Sequence, residues 1–198
     1  MHTSHPFRQH SPVTRWALPL ASALLAVAMP ASTLAAEPGP HVHGAAELRV
    51  AVDANQLEIS LESPLDSLLG FEHAPRTDKQ RAAVRSMAAK LRQAQTLFLP
   101  TAAAQCKLVS VTLASGALSP ELLGEPKPAK PEAGKPEDGH ADLDATFVFT
   151  CAAAAQLKGM EVALMTAFSG MRKLSVQVVS AKGQSATLLV PGKRSVNW

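Results

Sequence analysis

The chain of 198 residues carries 19 basic and 16 acidic side chains, a near balance that supplies no basic field of the kind nucleic-acid binding needs. With 46% hydrophobic residues it can bury a core. It lacks tyrosine, a glycine-rich phosphate loop, a Gly-x-Ser-x-Gly elbow and a His-Glu-x-x-His pair, which argues against an enzyme.

Residues 1–36 read as a signal peptide. Arg8 and Arg15 make a positive start, "WALPLASALLAVAMP" is the apolar segment, and "ASTLAA" offers small residues for cleavage after Ala35 or Ala36. The apolar segment is too short and proline-interrupted for a comfortable bilayer span, so no stable span is expected after cleavage. Cleavage would leave 162 residues with a net charge near +1. It would also remove His2, His5 and His10, leaving His41, His43, His73 and His140 for any metal chemistry.

The remainder predicts one α+β domain: a ββαβ part over 37–123, a flexible loop over 124–139, and a β-rich part over 140–198. Leu48, Val50 and Val52, then Leu57, Ile59 and Leu61, alternate with polar residues around the turn-compatible "DANQ", which predicts a hairpin with one buried face. "LDSLLGFEHAP" is too irregular for a strand and short for a helix. Thr77 with Gln80 fits a capping box, and Val84, Met87, Leu91, Ala94 and Phe98 follow at helical spacing, so the principal helix is expected over about 77–98. Its outer face carries Lys79, Arg81, Arg85, Lys90 and Arg92, either a solvated surface or a docking face for an anionic lipid surface or an acidic partner.

A strand at 107–113 precedes "GEPKPAKPEAGKPEDG", a Pro, Lys and Glu-rich stretch with nothing apolar larger than alanine to bury. "ADLDATFVFTC", "MEVALMT", "KLSVQVVS" and "SATLLVP" supply further strands, with a helical turn expected near "AFSGMRK". The sum is a mainly antiparallel sheet of about seven short strands with one principal helix.

Cys106 and Cys151 each lie at the end of a strand-like run. An even count in an exported chain favours a disulfide, with thiolate metal ligands or a redox pair as the alternatives. His41 and His43 stand two apart, so in extended backbone both could face one ion; such a pair also occurs in tails with no role. His140, Asp142 and Asp144 share one face of a strand whose other face is Leu143, Phe147 and Phe149. That set suits Zn²⁺, and equally suits a solvated polar face. His73, beside Glu72, is either a further imidazole or a hydrogen-bonding group ahead of the helix.

The run "HVHGAAELRVAVDANQLEISLESPLDSLLGFEHAPRTDKQRAAV", with "GHADLDATFVFTC" and more loosely "LMTAFSGMRKLSVQVVSAKGQSATLLVP", resembles the ZrgA-like periplasmic zinc-uptake proteins. The resemblance implies a non-enzymatic periplasmic protein that binds Zn²⁺ and works beside a zinc importer in the inner membrane. Its implied ligands are His41, His43 and His140, with His73 as a fourth and Glu72 or Asp142 as substitutes. Family members often carry a histidine-rich insertion; here its place is taken by "EPKPAKPEAGKPEDGH". The competing expectation is an envelope interaction module that uses the basic helix, with incidental histidines.

Overall fold

Alternating apolar residues build most of the molecule. In this computed structural model, which describes residues 42–127 and 141–198, the strands are β1 (Ala45–Asp53), β2 (Gln56–Pro64), β3 (Phe98–Pro100), β4 (Cys106–Ala114), β5 (Asp142–Cys151), β6 (Gly159–Val162), β7 (Lys173–Ser180), β8 (Gly183–Leu189) and β9 (Ser195–Asn197). The helices are α1 (Leu65–Leu69), α2 (Asp78–Arg92), α3 (Ala94–Leu97), α4 (Pro120–Leu123) and α5 (Leu164–Ala167). The α+β expectation, mainly antiparallel with one principal helix, describes this arrangement. The signal-peptide segment, His41, His140 and most of the Pro-rich stretch lie outside the described residues.

Six strands form one sheet in the order β4-β5-β2-β1-β7-β8, and β3-β6-β9 form a smaller one. The β1–β2 hairpin turns through Ala54 and Asn55, with Asp53 opposite Gln56 and Ala54 at φ 48°. β5 lies antiparallel between β2 and β4, while β1 runs parallel to β7. One sheet face carries Leu48, Val50, Leu57, Ile59, Leu61, Leu143, Phe147, Phe149, Leu174 and Val176 into a cluster shared with Val84, Met87, Ala88 and Leu91 of α2. The Phe98 and Phe147 rings meet within it at 4.8 Å. The opposite face carries Glu47, Arg49, Gln56, Asp144 and Gln177 to solvent.

α2 begins at the expected capping box: Gln80 N–H donates to Thr77 Oγ1 (3.2 Å) and Thr77 N–H donates to Gln80 Oε1 (3.2 Å). It ends at Arg92, short of the expected 98, because Gln93 leaves helical geometry before α3 resumes. Among the described residues nine strands form where about seven were expected. The additions are the three-residue β3 and β9, too short to show a period. "MEVALMT" divides between β6 and α5, so the helical turn comes earlier than "AFSGMRK".

Cys106 and Cys151 face each other across β4 and β5 and form a disulfide that closes 45 residues of sequence. In the chain-entropy account a loop of that length contributes about 4 kcal/mol. Side chains bond two backbone groups on the outer edge of β4, at Val111 and Leu113. Arg92 Nη1 donates to Val111 O (3.2 Å), Leu113 N–H donates to Glu125 Oε1 (2.8 Å), and Arg92 Nη2 pairs with Glu125 Oε1 (2.6 Å). Edge groups bonded in this way are unavailable to a foreign strand.

Candidate metal centre

The "HVHG" motif turns the chain into β1, and Gly44 is what holds the turn. Gly44 sits at φ +78°, where a Cβ would lie 3.2 Å from Gly170 O and 3.3 Å from Arg172 Cγ. Its N–H donates to the buried Ser67 Oγ (3.1 Å), and its carbonyl accepts from the N–H groups of Arg172 (2.6 Å) and Lys173 (2.9 Å). Glycine is required both for the left-handed backbone and for the close approach. Three bonds at one residue thus fix the N-terminal turn to α1 on one side and to the start of β7 on the other.

This clamp places His43 over α1. His43 Nδ1–H donates to Asp66 Oδ2 at 2.9 Å, and Glu72 Oε1 stands 3.8 Å from the same nitrogen. The imidazole is 70% exposed, against 32% for Asp66 and 40% for Glu72, so its ring stands in water with two carboxylates beneath it. The hydrogen bond to Asp66, followed by the charges of Glu72 and Asp66, raises the His43 pKa above the ordinary 6.5. With Nδ1 engaged by a carboxylate, the outward nitrogen is Nε2. A metal-bound histidine is commonly oriented in this way by a carboxylate on its other nitrogen.

The start of β5 arrives at the same short helix. Leu65 N–H donates to Ala141 O (2.8 Å), and Asp142 lies opposite Pro64. Chain segments near 43 and near 141 are therefore both hydrogen-bonded to the first turn of α1. Asp66 was not among the residues expected from the sequence. It sits 23 positions from His43, and its one local cue is an acidic residue in the first turn of a helix that the pattern left undecided.

The remaining candidates divide. Glu72 joins His43, whereas the neighbouring His73 donates from Nδ1 to Ala74 O (2.9 Å) and lies against the Phe71 ring at 5.2 Å. Asp142 opens β5 on the polar face. His41 and His140 lie outside the described residues. Among the described residues no group of three or more His, Cys, Asp or Glu side chains is arranged to hold a metal ion unaided.

A second acidic group lies on the open sheet face. Glu47, Glu62 and Asp144 are consecutive register partners across β1, β2 and β5, and Arg49 Nη2 donates to Glu47 (3.1 Å) and Glu62 (3.2 Å). They line a depression of about 90 Å³. Partial burial, then the charges of Glu62 and Asp142, raise the Asp144 pKa, with Arg49 opposing.

The molecule is thus a disulfide-tied, β-rich α+β protein with a histidine–carboxylate corner at its N-terminal turn. The chain belongs to the ZrgA family of zinc uptake proteins, whose family model matches residues 40–198. No curated protein matches it significantly. Membership gives it a role in zinc uptake, and the disulfide with the family points to an extracytoplasmic protein. Among the described residues no helix is long and apolar enough to cross a membrane.

Proposed function

We propose that the protein is a non-enzymatic periplasmic accessory that captures Zn²⁺ and passes it to a zinc importer in the inner membrane. The observation that carries this reading is His43 held by Asp66 through Nδ1, with Nε2 facing outward, on the α1 turn that also receives Ala141. His43 would bind the ion through Nε2, and His41 and His140, each close in sequence to a segment tied to that turn, would supply further imidazoles. Glu72 is the nearest carboxylate for a remaining position, and Asp66 orients rather than binds. His73 and Asp142 are the further candidates; His73 Nδ1–H donates to Ala74 O, which leaves its Nε2 to bind as at His43.

Zinc is cargo here, and its ligands must be deprotonated. Asp66 and Glu72 favour the imidazolium, so protons compete with zinc at His43 to a higher pH than at an unperturbed histidine. Affinity should fall as pH drops through the raised pKa, and the fall should begin above 6.5. Calorimetric zinc titration of the purified protein tests the site. His43→Ala is expected to weaken binding at least about tenfold, as loss of a ligand does, and the His41→Ala and His140→Ala variants should each weaken it as well. Unchanged affinity in all three would discard the site.

The interaction-module reading has one fewer cation to draw on. Arg81 is bonded to Asp78 (2.7 Å), and Arg92 is committed to Glu125, Val111 O and Leu123 O. Of the five cations that suggested a basic docking helix, Arg92 therefore serves the fold, Arg81 pairs with the exposed Asp78 at the surface, and Lys79, Arg85 and Lys90 remain on the outer face.

A further inference from the structure

We propose that β8, an outer strand of the six-stranded sheet, pairs antiparallel with β8 of a second copy of this chain and so joins two sheets into one. The pairing goes beyond the zinc-capture reading and does not rest on it.

The two edges of that sheet are built differently. On β4 the pairing with β5 shifts between Leu108 and Ser110, Lys107 puts a charge on the strand, and Arg92 and Glu125 bond Val111 O and Leu113 N–H. A bulge, a lysine and bonded backbone groups all discourage pairing at an edge. β8 has none of them. Its residues, "GQSATLL", include no charge and no proline, and it pairs with β7 without a shift of register. The flanking lysines are drawn to the inner face. Lys182 Nζ donates to O of Trp198 (3.1 Å), which packs against the core, and Lys193 Nζ donates to Thr187 Oγ1 (3.3 Å), on the rung of the buried Val176.

Hairpin geometry sets which backbone groups of β8 face outward. Ser180 pairs with Gly183 across the turn of Ala181 and Lys182, and the closing pair of such a two-residue hairpin is hydrogen-bonded. Pairs alternate from there, so Ser185, Thr187 and Leu189 bond to β7, while N–H and C=O of Gln184, Ala186 and Leu188 point away from it. All three residues are exposed, and among the described residues no other element bonds their outward groups.

These positions are symmetric about Ala186, which makes the strand its own complement. A two-fold axis there sets Ala186 opposite its copy and Gln184 opposite Leu188, each exchanging N–H and C=O. Ser185 then meets Thr187, a hydroxyl pair of the kind that supports sheets, and no like charges oppose each other. On the open face Leu188, 42% exposed, falls in one row with Gln184 of the other copy and that residue's rung partner Val179, 51% exposed. An axis at Gln184 or Leu188 instead would run the pairing into the turn or into Pro191. The join uses up both β8 edges and leaves a guarded β4 at each end, so the assembly closes at two copies.

Sedimentation equilibrium of the purified protein tests this. One shared strand is a smaller interface than the roughly 1,200–2,000 Å² of stable complexes, so the mass should rise toward twice the monomer value between about 10 µM and 1 mM. Ala186→Lys and Ala186→Glu each set like charges on the axis, about 5.5 Å apart at Cα, and each should weaken association at least about tenfold. An equimolar mixture of the two variants should associate at least as well as wild type. Both should melt like wild type, because Ala186 is exposed and its backbone groups lie outside the β7 pairing. Amide hydrogen exchange reads the same edge in the unaltered protein: protection of Gln184, Ala186 and Leu188 should rise several-fold with concentration, and that of the already bonded Leu113 should not. A protein that stays monomeric throughout that range, a dimer that both variants form as readily as wild type, or a mixture no better associated than its separate components overturns the proposal. So does protection of β8 that appears only when periplasmic extract is added, which would assign the edge to another partner.

Discussion

His43 and Glu47 are four residues apart on one chain, yet each gathers carboxylates by a different means. At His43 the arrangement comes from a turn: Gly44 is bonded to Ser67, Arg172 and Lys173, and the histidine meets Asp66 and Glu72 as a consequence. At Glu47 it comes from sheet register, which sets Glu62 and Asp144 on the same rung of neighbouring strands about 4.8 Å apart. The turn delivers an imidazole next to anionic oxygens, a mixture that suits zinc once the ring is deprotonated. The rung delivers carboxylates alone, and the protein supplies its own countercharge in Arg49. Proximity of acidic groups therefore does not distinguish the two places; the imidazole at His43 and the arginine bonded across the rung do.

The largest expected effect separates the clamp from the ligand it holds. Gly44→Ala puts a Cβ into the left-handed backbone against Gly170 O and Arg172, and should cost about 2 kcal/mol. Thermal melting should register this as a fall of roughly 4–8 °C, with zinc affinity lost alongside although His43 is intact. A variant that melts like wild type and binds zinc normally would show that the turn does not depend on its glycine.

Next in size, Asp66→Ala should weaken zinc about tenfold, the scale typical of orienting partners of metal ligands, with little change in melting temperature. The same change should return the His43 pKa toward 6.5, since its hydrogen bond to Asp66 is the largest cause of the rise, and NMR titration of the imidazole would record it. The linked stability has a definite sign. A raised folded-state pKa stabilises the fold fully below 6.5, and the contribution is lost as pH rises through the folded value. By contrast, Glu47→Gln and Glu62→Gln should leave zinc affinity where it was.

The smallest expected effect belongs to the rung. Asp144 titrates above its ordinary value because burial and Glu62 disfavour its charge, so the ionised form opposes folding at neutral pH. Asp144→Asn should raise the melting temperature by about 1–2 °C at pH 7, and the gain should vanish in acid, where the wild-type carboxyl is already neutral. A gain that persisted at low pH would assign the effect to packing instead of charge.

Much of the scaffold could be read directly from residue spacing. The two-residue period of β2 and β5, the Thr77–Gln80 capping box and the pairing of Cys106 with Cys151 all follow from patterns contained within a strand, one helical turn, or a count of two. The elements that escaped reading are short or irregular: β3, β9 and α1 each span five residues or fewer, too few for a period to stand out. The candidate site was legible in part. His43 and Glu72 were named from the sequence and stand together, whereas Asp66 lay in the segment that the pattern left unassigned.

What the sequence determined by itself was thus local: which faces are apolar, where α2 starts, and which residue types are present to bind an ion. Only the tertiary structure decided that β1 runs parallel to β7, that Arg92 bonds the edge of β4, and that Asp66 lies under His43 while Ala141 joins the same turn. The physical reason is range. Periodicity and capping act through bonds between near neighbours in the chain, whereas these meetings join residues from 19 to more than 120 positions apart and depend on how strands pair around the shared core.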